Sequence, residues 1–424
     1  MSAQPTDIKA ANREAVKRIL EADPVLVDVK RAIDVVPGMK RDLFLHAGPP
    51  VEWEKMCGAL RGSLIGAIMF EGLAKTPEEA VKLIERREVK FEPSHPHGVV
   101  NGMAHITSAS MPLFVVENKA HGNFSYCHIR EVGTGKALRY GVHSDEVLQK
   151  LHWVEKTLGP GLKAAISVSG GINLKGIMSR AVHMGDDGHS RIIAGTSLFE
   201  RTLMPHLLQT DLDKDTIMQI ASHIAKDDLF ALSLNMAAAK AIIQPAHGIK
   251  GSTIVTVMAR NGTDFGIWVS SLGDRWFTAP SPPVDGVYFP GYGPEDASRG
   301  DMGDSSIVET MGLGAMICAA APAMAQLSGS KDPMAQAVSI TRDMYEITVA
   351  KNGSFTIPSL GFAGAPTGID IRKVVETGIV PFVGTAIAHK QIGFGMIGVG
   401  FAKSPMECFK KALEALVNEF GQSK

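Results

Sequence analysis

The sequence predicts an α/β chain of complex, mixed α+β arrangement: two α/β domains joined by a small helical segment. Three observations lead there. Helix-capping signatures recur along the chain, short apolar runs of strand type stand between them, and the two alternate without a clean strand–helix–strand rhythm. At 424 residues the chain is also long for one core, so two or three domains are expected. The boundaries fall at an N-terminal α/β domain over 1–200, a small helical domain over 201–250, and a C-terminal α/β domain with a terminal helix over 251–424.

Taken in order, the opening MSAQPTDIKAANREAVKRIL lacks the apolar core of a signal peptide and reads as a polar helix. Thr76-Pro77-Glu78-Glu79 places an N-cap, a proline at the first helical position and a glutamate at the third, ahead of AVKLIERR. LFVVEN (113–118) is an apolar run of buried-strand type. Between Asp213 and Ile243 apolar residues fall at helical spacing, which predicts a helical pair between the larger halves. STIVTVMA (252–259) and FGIWVS (265–270) read as strands joined by Asn261-Gly262, a strong hairpin signal. The charge-free window Met311 to Leu327 is too short and too rich in Ala and Gly to span a membrane, and is expected as a buried helix. Asp332-Pro333 should open a helix that stops at Asn352-Gly353, and Ser404-Pro405-Met406-Glu407 opens the terminal one.

Composition narrows the function classes. Hydrophobic residues make up 45% and charged residues 21%, ordinary for a folded protein. Lys and Arg total 43 against 44 Asp and Glu, so no basic excess suits a nucleic-acid partner. The four cysteines (57, 127, 318, 408) form no CxxC pair, which fits reduced thiols in a cytoplasmic protein rather than a disulfide frame or a zinc motif.

Gly393-Phe-Gly395-Met-Ile-Gly398 matches GxGxxG, yet only 24 residues follow Gly400, too few for the helix, second strand and acidic residue of a dinucleotide site. No cofactor is therefore expected. The stretch from Gly368 to Gly400 is nonetheless site-like. Arg372, Glu376, His389 and Lys390 sit in apolar, glycine-rich sequence, where they must either pair with one another or face a cavity. An arginine fork matches the two oxygens of a carboxylate or phosphate, and a histidine exchanges protons near neutral pH. His183 to Arg191 mixes His and carboxylate without an HxxxH or HExxH frame, so helix capping by Asp186 and anion binding by His189 and Arg191 outrank metal ligation. Asp301 and Asp304, with Glu309 nearby, are either caps or acid–base groups. His95, His97 and His105 flank TSASMP ahead of a buried strand, and Arg275 lies beside Trp276 and Phe277.

Several of these stretches occur together in one known family. LHAGPP (45–50), FEG (70–72), TSASMP with VVEN, MGD with His189 and Arg191, ARNG, GDRWFTAP, DMGDS, and DIRKVVETGIVP with AIAHK follow one another as in the AllG (YlbE) family. The chain resembles that family from about residue 26 onward. It departs at Ser94-His95-Pro96-His97, where an adjacent His-His pair is the family pattern, which leaves His95 the better candidate. The resemblance implies a subunit of oxamate carbamoyltransferase in anaerobic allantoin and purine catabolism, converting oxalurate and phosphate to oxamate and carbamoyl phosphate. It also implies partner subunits, one similar to the succinyl-CoA synthetase α subunit, and hence an oligomeric assembly.

Such a transfer between small anions needs preorganised cationic and N–H donors. Arg191, Arg260, Arg275, Arg372 and Lys390 are the candidates, with Arg260 the weakest because it borders a hairpin turn. In the resulting assignment Arg372 and Arg275 hold carboxylate or phosphate, with His189, Arg191, Arg260, Glu376 and Lys390 as further binding residues. His389 or His95 handles the proton, and Asp301 or Asp304 orients the amide; no metal is assigned. Two rival readings stand beside it: a non-catalytic scaffold subunit, and a metal-dependent amidohydrolase built on 183–191.

Overall fold

The computed structural model describes residues 7–131, 135–326 and 330–420. It is a mixed α+β protein in which small sheets, largely antiparallel, are packed by helices. The first sheet has five strands, in the order Val99–Val100, Asn123–His128, Pro112–Asn118, Pro24–Arg31, Ile172–Asn173. Its central strand, Pro112–Asn118, is buried at six of seven positions, as the LFVVEN run requires. A second sheet sets Val255–Asn261 beside Asp264–Val269, turned by Gly262 at φ 84°, with Phe277–Pro280 and Met302–Gly303 on its edges. The Asn261-Gly262 hairpin is thus present with antiparallel register from Arg260↔Phe265. A third sheet sets Met396–Lys403 between Phe382–Ala388 and Asp285–Tyr288.

The helix caps behave as the residue types demand. Thr76 accepts the Glu79 N–H ahead of Pro77–Glu85, Asp213 accepts from Thr216 ahead of Lys214–Ala225, and Asp332 accepts from Ala335 ahead of Pro333–Glu346. That last helix ends at Glu346, not at Asn352-Gly353. The β-branched run Ile347-Thr348-Val349 favours extended backbone, and Asn352-Gly353 falls inside the Thr348–Ile357 strand, beside an irregularity in its register. The 311–327 window is likewise buried but is not one helix. Gly312 and Gly314 adopt positive φ, so the chain breaks after Ile307–Met311 into a 3₁₀ segment over Gly314–Ala320 and a short Pro322–Ala325 helix. Leu327 lies outside the described residues.

The helical pair is Lys214–Ala225 and Leu232–Ile243. Leu232–Ile243 is buried all round from Ser233 onward, packed against the central strands of the first sheet. The largest core cluster gathers Ala15 and Phe114, Phe230 and Ile242, and Ile307 and Phe355. One core therefore draws on all three stretches that the sequence divides. No helix of the described residues is long and apolar enough to cross a membrane, and the four cysteines are free thiols.

Candidate functional site

The place where buried charge converges is a cavity of about 270 Å³, partly open. Its walls come from far-apart segments: Gly102 and Met103, Arg130, Arg139 and Tyr140, His189 and Ser190, Ser305, and Thr385 with Met396 and Val399. That volume suits a molecule of metabolite size. Met103 forms part of the wall with φ 51°, a conformation that costs a non-glycine residue energy and is found where surrounding structure over-determines it.

His189 is the most strongly organised of these groups. Asp187 Oδ1 accepts the backbone N–H groups of His189, Ser190 and Arg191, which fixes the loop. Glu309, fully buried, then takes His189 Nδ1 at 2.8 Å. The same Glu309 carboxylate accepts the backbone N–H groups of Ala315 and Gly384, each at 3.0 Å. With Nδ1 committed, the other ring nitrogen, Nε2, has no protein partner among the described residues. A Cβ at Gly384 would meet Ser190 Oγ at 2.4 Å, so a larger residue there would turn the serine hydroxyl away.

The same cavity is lined by two arginines that the sequence reading overlooked. Arg130 gives Nε and Nη2 to Asp227 at 3.0 and 3.5 Å. Burial works to raise the Asp227 carboxyl, but the Arg130 charge and hydrogen bond hold it below the usual range. Arg139 donates Nη1 to the Glu131 backbone oxygen at 2.9 Å and to its carboxylate at 3.0 Å. Burial again pushes the Glu131 pKa up and Arg139 outweighs it. Beside them His105 and His128 stack at 3.8 Å, and burial drives both pKa values down, His105 to about 4, so neither adds positive charge at neutral pH.

A second layer supports this wall. Arg260 is fully buried, not solvated at its turn, because its strand runs between two others. It donates to Asp301 at 2.7 Å, to the Gly303 carbonyl at 2.8 Å and to Thr385 Oγ1 at 3.2 Å. Thr385, which lines the cavity, in turn donates to Asp301 at 2.7 Å. Asp304 accepts from Ser94 Oγ and from the Gly48 and Asn101 N–H groups, with His95 Nε2 at 3.4 Å. Burial would raise its pKa, and those neighbours hold it down. Asp301 and Asp304 are thus both held by hydrogen bonds, and neither is among the residues that line the cavity.

The remaining sequence candidates lie elsewhere. Arg372 folds back on Asp370, with Nε to Oδ1 at 3.1 Å and Nη2 to Oδ2 at 2.6 Å, and faces the Ile8–Glu21 helix. Glu376 is exposed on the Ile371–Thr377 helix. His389 stacks on Phe394 at 4.0 Å, and Lys390 bonds the Glu295 carbonyl at the surface. Arg275 is exposed and reaches Glu419. Arg191 donates to the Gly185 carbonyl. His97 bonds Glu92 on the far side of its turn. The structure therefore brings His189, Arg260, Asp301 and Asp304 to one region and leaves Arg372, Glu376, Arg275 and Lys390 apart from it. In the 183–191 cluster Asp186 accepts from Gly195 and Ala194 at the start of the Ile193–Leu207 helix, and Asp187 is spent on its turn. Among the described residues no group of three or more His, Cys, Asp or Glu side chains is placed to hold a metal.

Comparison with known proteins follows the same lines. A family model described as oxamate carbamoyltransferase subunit AllG matches residues 89–305, which include both arginines, His189, Arg260, Asp301 and Asp304. The oxamate carbamoyltransferase subunit AllG of Escherichia coli K12 is 41% identical over 418 residues, covering 98% of this chain and 99% of that protein. YahG of the same strain, described as uncharacterized, is 44% identical over 414 residues, covering 98% of this chain and 87% of its own length. A crystal structure of a conserved protein of unknown function from Enterococcus faecalis V583 superposes with a TM-score of 0.95 at 42% identity, covering 98% of this chain and 99% of that one. By sequence and by fold, the chain belongs to the AllG family.

Proposed function

We propose that this chain is a subunit of a carbamoyltransferase and that the 270 Å³ cavity is where the carbamoyl group changes hands. The observation that supports this most is one cavity lined by Arg130, Arg139 and a carboxylate-held histidine. A chemistry that handles two small anions and moves one proton needs those groups. In the reaction proposed, a phosphate oxygen attacks the ureido carbon of oxalurate. The C–N bond to the oxamate nitrogen breaks, and carbamoyl phosphate and oxamate are the products. The proton lost by phosphate is the one the departing nitrogen gains, so the atoms and charges balance.

Each residue has a place in that step. Asp227 occupies Nε and Nη2 of Arg130, so Nη1 is left for an oxyanion of the guest. Arg139 adds a second cation to the same wall. His189, its Nδ1 held by Glu309, accepts at Nε2 the proton from phosphate and returns it to the leaving nitrogen. The Thr385 hydroxyl, held between Arg260 and Asp301, and Ser190 Oγ present polar atoms to the amide ends of the substrate. The setting proposed is anaerobic allantoin breakdown in the cytoplasm, within an assembly that includes a subunit similar to succinyl-CoA synthetase α.

His189→Gln in the assembled enzyme tests the assignment. Carbamoyl phosphate formation from oxalurate and phosphate should fall by about 10²–10⁴, the range of a lost general acid–base. Oxamate binding to the isolated chain, followed by calorimetry, should persist. Full turnover in the variant would remove His189 from the chemistry, and no oxamate binding by the isolated wild-type chain would favour a scaffold role.

A further inference from the structure

A second set of buried polar groups lies on the other side of Asp304, and the reaction proposed above does not use it. The Leu232–Ile243 helix is enclosed by protein, yet it carries Lys240, which is 4% exposed. Among the described residues no carboxylate lies within 4.0 Å of its Nζ and no hydrogen bond joins it to a partner. Its nearest organised neighbour is the ring of Trp268, with Nζ 5.4 Å from the ring centroid. Trp268 is itself 2% exposed, and its indole N–H has no acceptor. His95, 1% exposed, lies 6.0 Å from Trp268 and 6.1 Å from Trp276 by ring centroids, and its Nδ1 is also without a partner.

Such a gathering has a definite sign. A largely buried ammonium with no counter-charge within ion-pair distance is among the costlier groups a protein can hold. A buried indole N–H ordinarily finds an acceptor. Lys240 and Trp268 are both donors, so what they lack is an acceptor, and beside a lysine that acceptor is best satisfied as an anion. The carboxylates nearby do not fill the role. Asp304 is committed to Ser94, Gly48, Asn101 and His95, and Asp274 to His247 Nε2 at 2.9 Å. Burial also lowers the Lys240 pKa to about 8, so near neutral pH the ammonium form persists and remains to be balanced. The cluster is not sealed: Trp276, His247 and Asp274 carry it to the surface.

We propose that Lys240, Trp268 and His95 form a second anion-binding site, separate from the reaction cavity, that takes a small oxyanion such as phosphate or a short carboxylate. The Nζ charge and the indole N–H hold the oxygens, as a lysine acts on phosphate through a point charge. Trp276 and the His247–Asp274 pair form the outer rim. Phosphate and carboxylate share this chemistry, and binding data separate them.

The test uses the full chain and tryptophan emission, since Trp268 and Trp276 border this site whereas no tryptophan lines the reaction cavity. Inorganic phosphate and oxamate are titrated separately, with ionic strength held by a bulky organic buffer salt. Wild type should give a saturable change with at least one of them. Lys240→Met should weaken that binding at least tenfold. Trp268→Phe, which keeps the ring and removes the donor, should weaken it severalfold and serves if the methionine variant does not fold. His189→Gln should bind as wild type does, which separates this site from the reaction cavity. No saturable change in wild type, or equal affinity in both Lys240→Met and wild type, would overturn the proposal.

Discussion

Replacing Glu309 by Gln isolates the electronic role of the His189–Glu309 pair from its structural one. Glu309 accepts three hydrogen bonds: from Ala315 N–H and Gly384 N–H through Oε1, and from His189 Nδ1 at both oxygens. Glutamine keeps one carbonyl oxygen in the same place, so both backbone donors can stay satisfied. An alanine would orphan them, at about 1–3 kcal/mol for each buried donor. Glutamine instead turns the other oxygen into an N–H donor aimed at Nδ1. That favours the tautomer with its proton on Nε2, and in that tautomer Nε2 no longer accepts one; only the carbonyl oxygen, which already takes the two backbone donors, is left to hold the other. Stability should therefore change by no more than about 1–2 kcal/mol, the scale of one altered charged hydrogen bond. Carbamoyl transfer by the assembled enzyme should fall by about 10²–10⁴. Thermal unfolding gives the first quantity, a phosphate-dependent carbamoyl phosphate assay the second, and ¹⁵N shifts of the imidazole report the tautomer. A Gln variant with the tautomer switched and turnover intact would refute the argument that Nε2 accepts a proton.

Three further outcomes follow from charges placed elsewhere. Arg260→Ala leaves Asp301 as an uncompensated charge inside the protein, and should cost about 3–5 kcal/mol, read as a lowered chemical-denaturation midpoint. Arg372→Ala removes a half-exposed partner of Asp370, which still accepts from Thr253 and Asn12; carbamoyl transfer measured at saturating partner subunits should be unchanged, and its collapse would place the Ile8–Glu21 groove in the reaction. Lys240 is depressed from 10.5 to about 8 by burial, with Asp274 and Asp304 acting weakly the other way and His95 and His247 beside it. The unfolded chain thus binds the extra proton between those values, so stability should rise as pH climbs from about 8 to 10.5, by up to about 3 kcal/mol. Lys240→Met should lack that rise, and wild-type stability from urea unfolding that is equal at pH 8 and 10 would contradict it.

What the sequence disclosed and what it withheld divide along a physical line. Caps and turns are local: Thr76, Asp213 and Asp332 act on amides three residues away, and Asn261-Gly262 sets its own backbone, so all were legible. Asn352-Gly353 misled because the pair serves equally as a helix stop and as a break in a strand, and the β-branched residues before it decided the matter. The site is different, since its members meet only in three dimensions. His189 could be seen as a charged residue in a glycine-rich loop, but nothing near it in sequence names Glu309, 120 positions away, as its partner. Arg130 and Arg139 bear the same signal, charge in apolar and glycine-punctuated sequence, as the 368–400 stretch. In that stretch the cavity takes Thr385, Ala386, Met396 and Val399, while Glu376 and Lys390 are exposed and Arg372 pairs with the buried Asp370. Polarity marks a residue that needs a partner; it does not say whether the partner is a substrate or a neighbouring carboxylate.

The cavity wall begins near residue 102 and is not finished until Met396 and Val399 arrive on the Met396–Lys403 strand. During synthesis, therefore, a nascent chain holds Arg130, Arg139 and His189 long before it holds the strand that encloses them. Until then the wall around the two arginines and the histidine is incomplete, because Met396 and Val399 line the same cavity. A chain cut short before Met396 would keep every charged group of that wall and still lack part of what surrounds them.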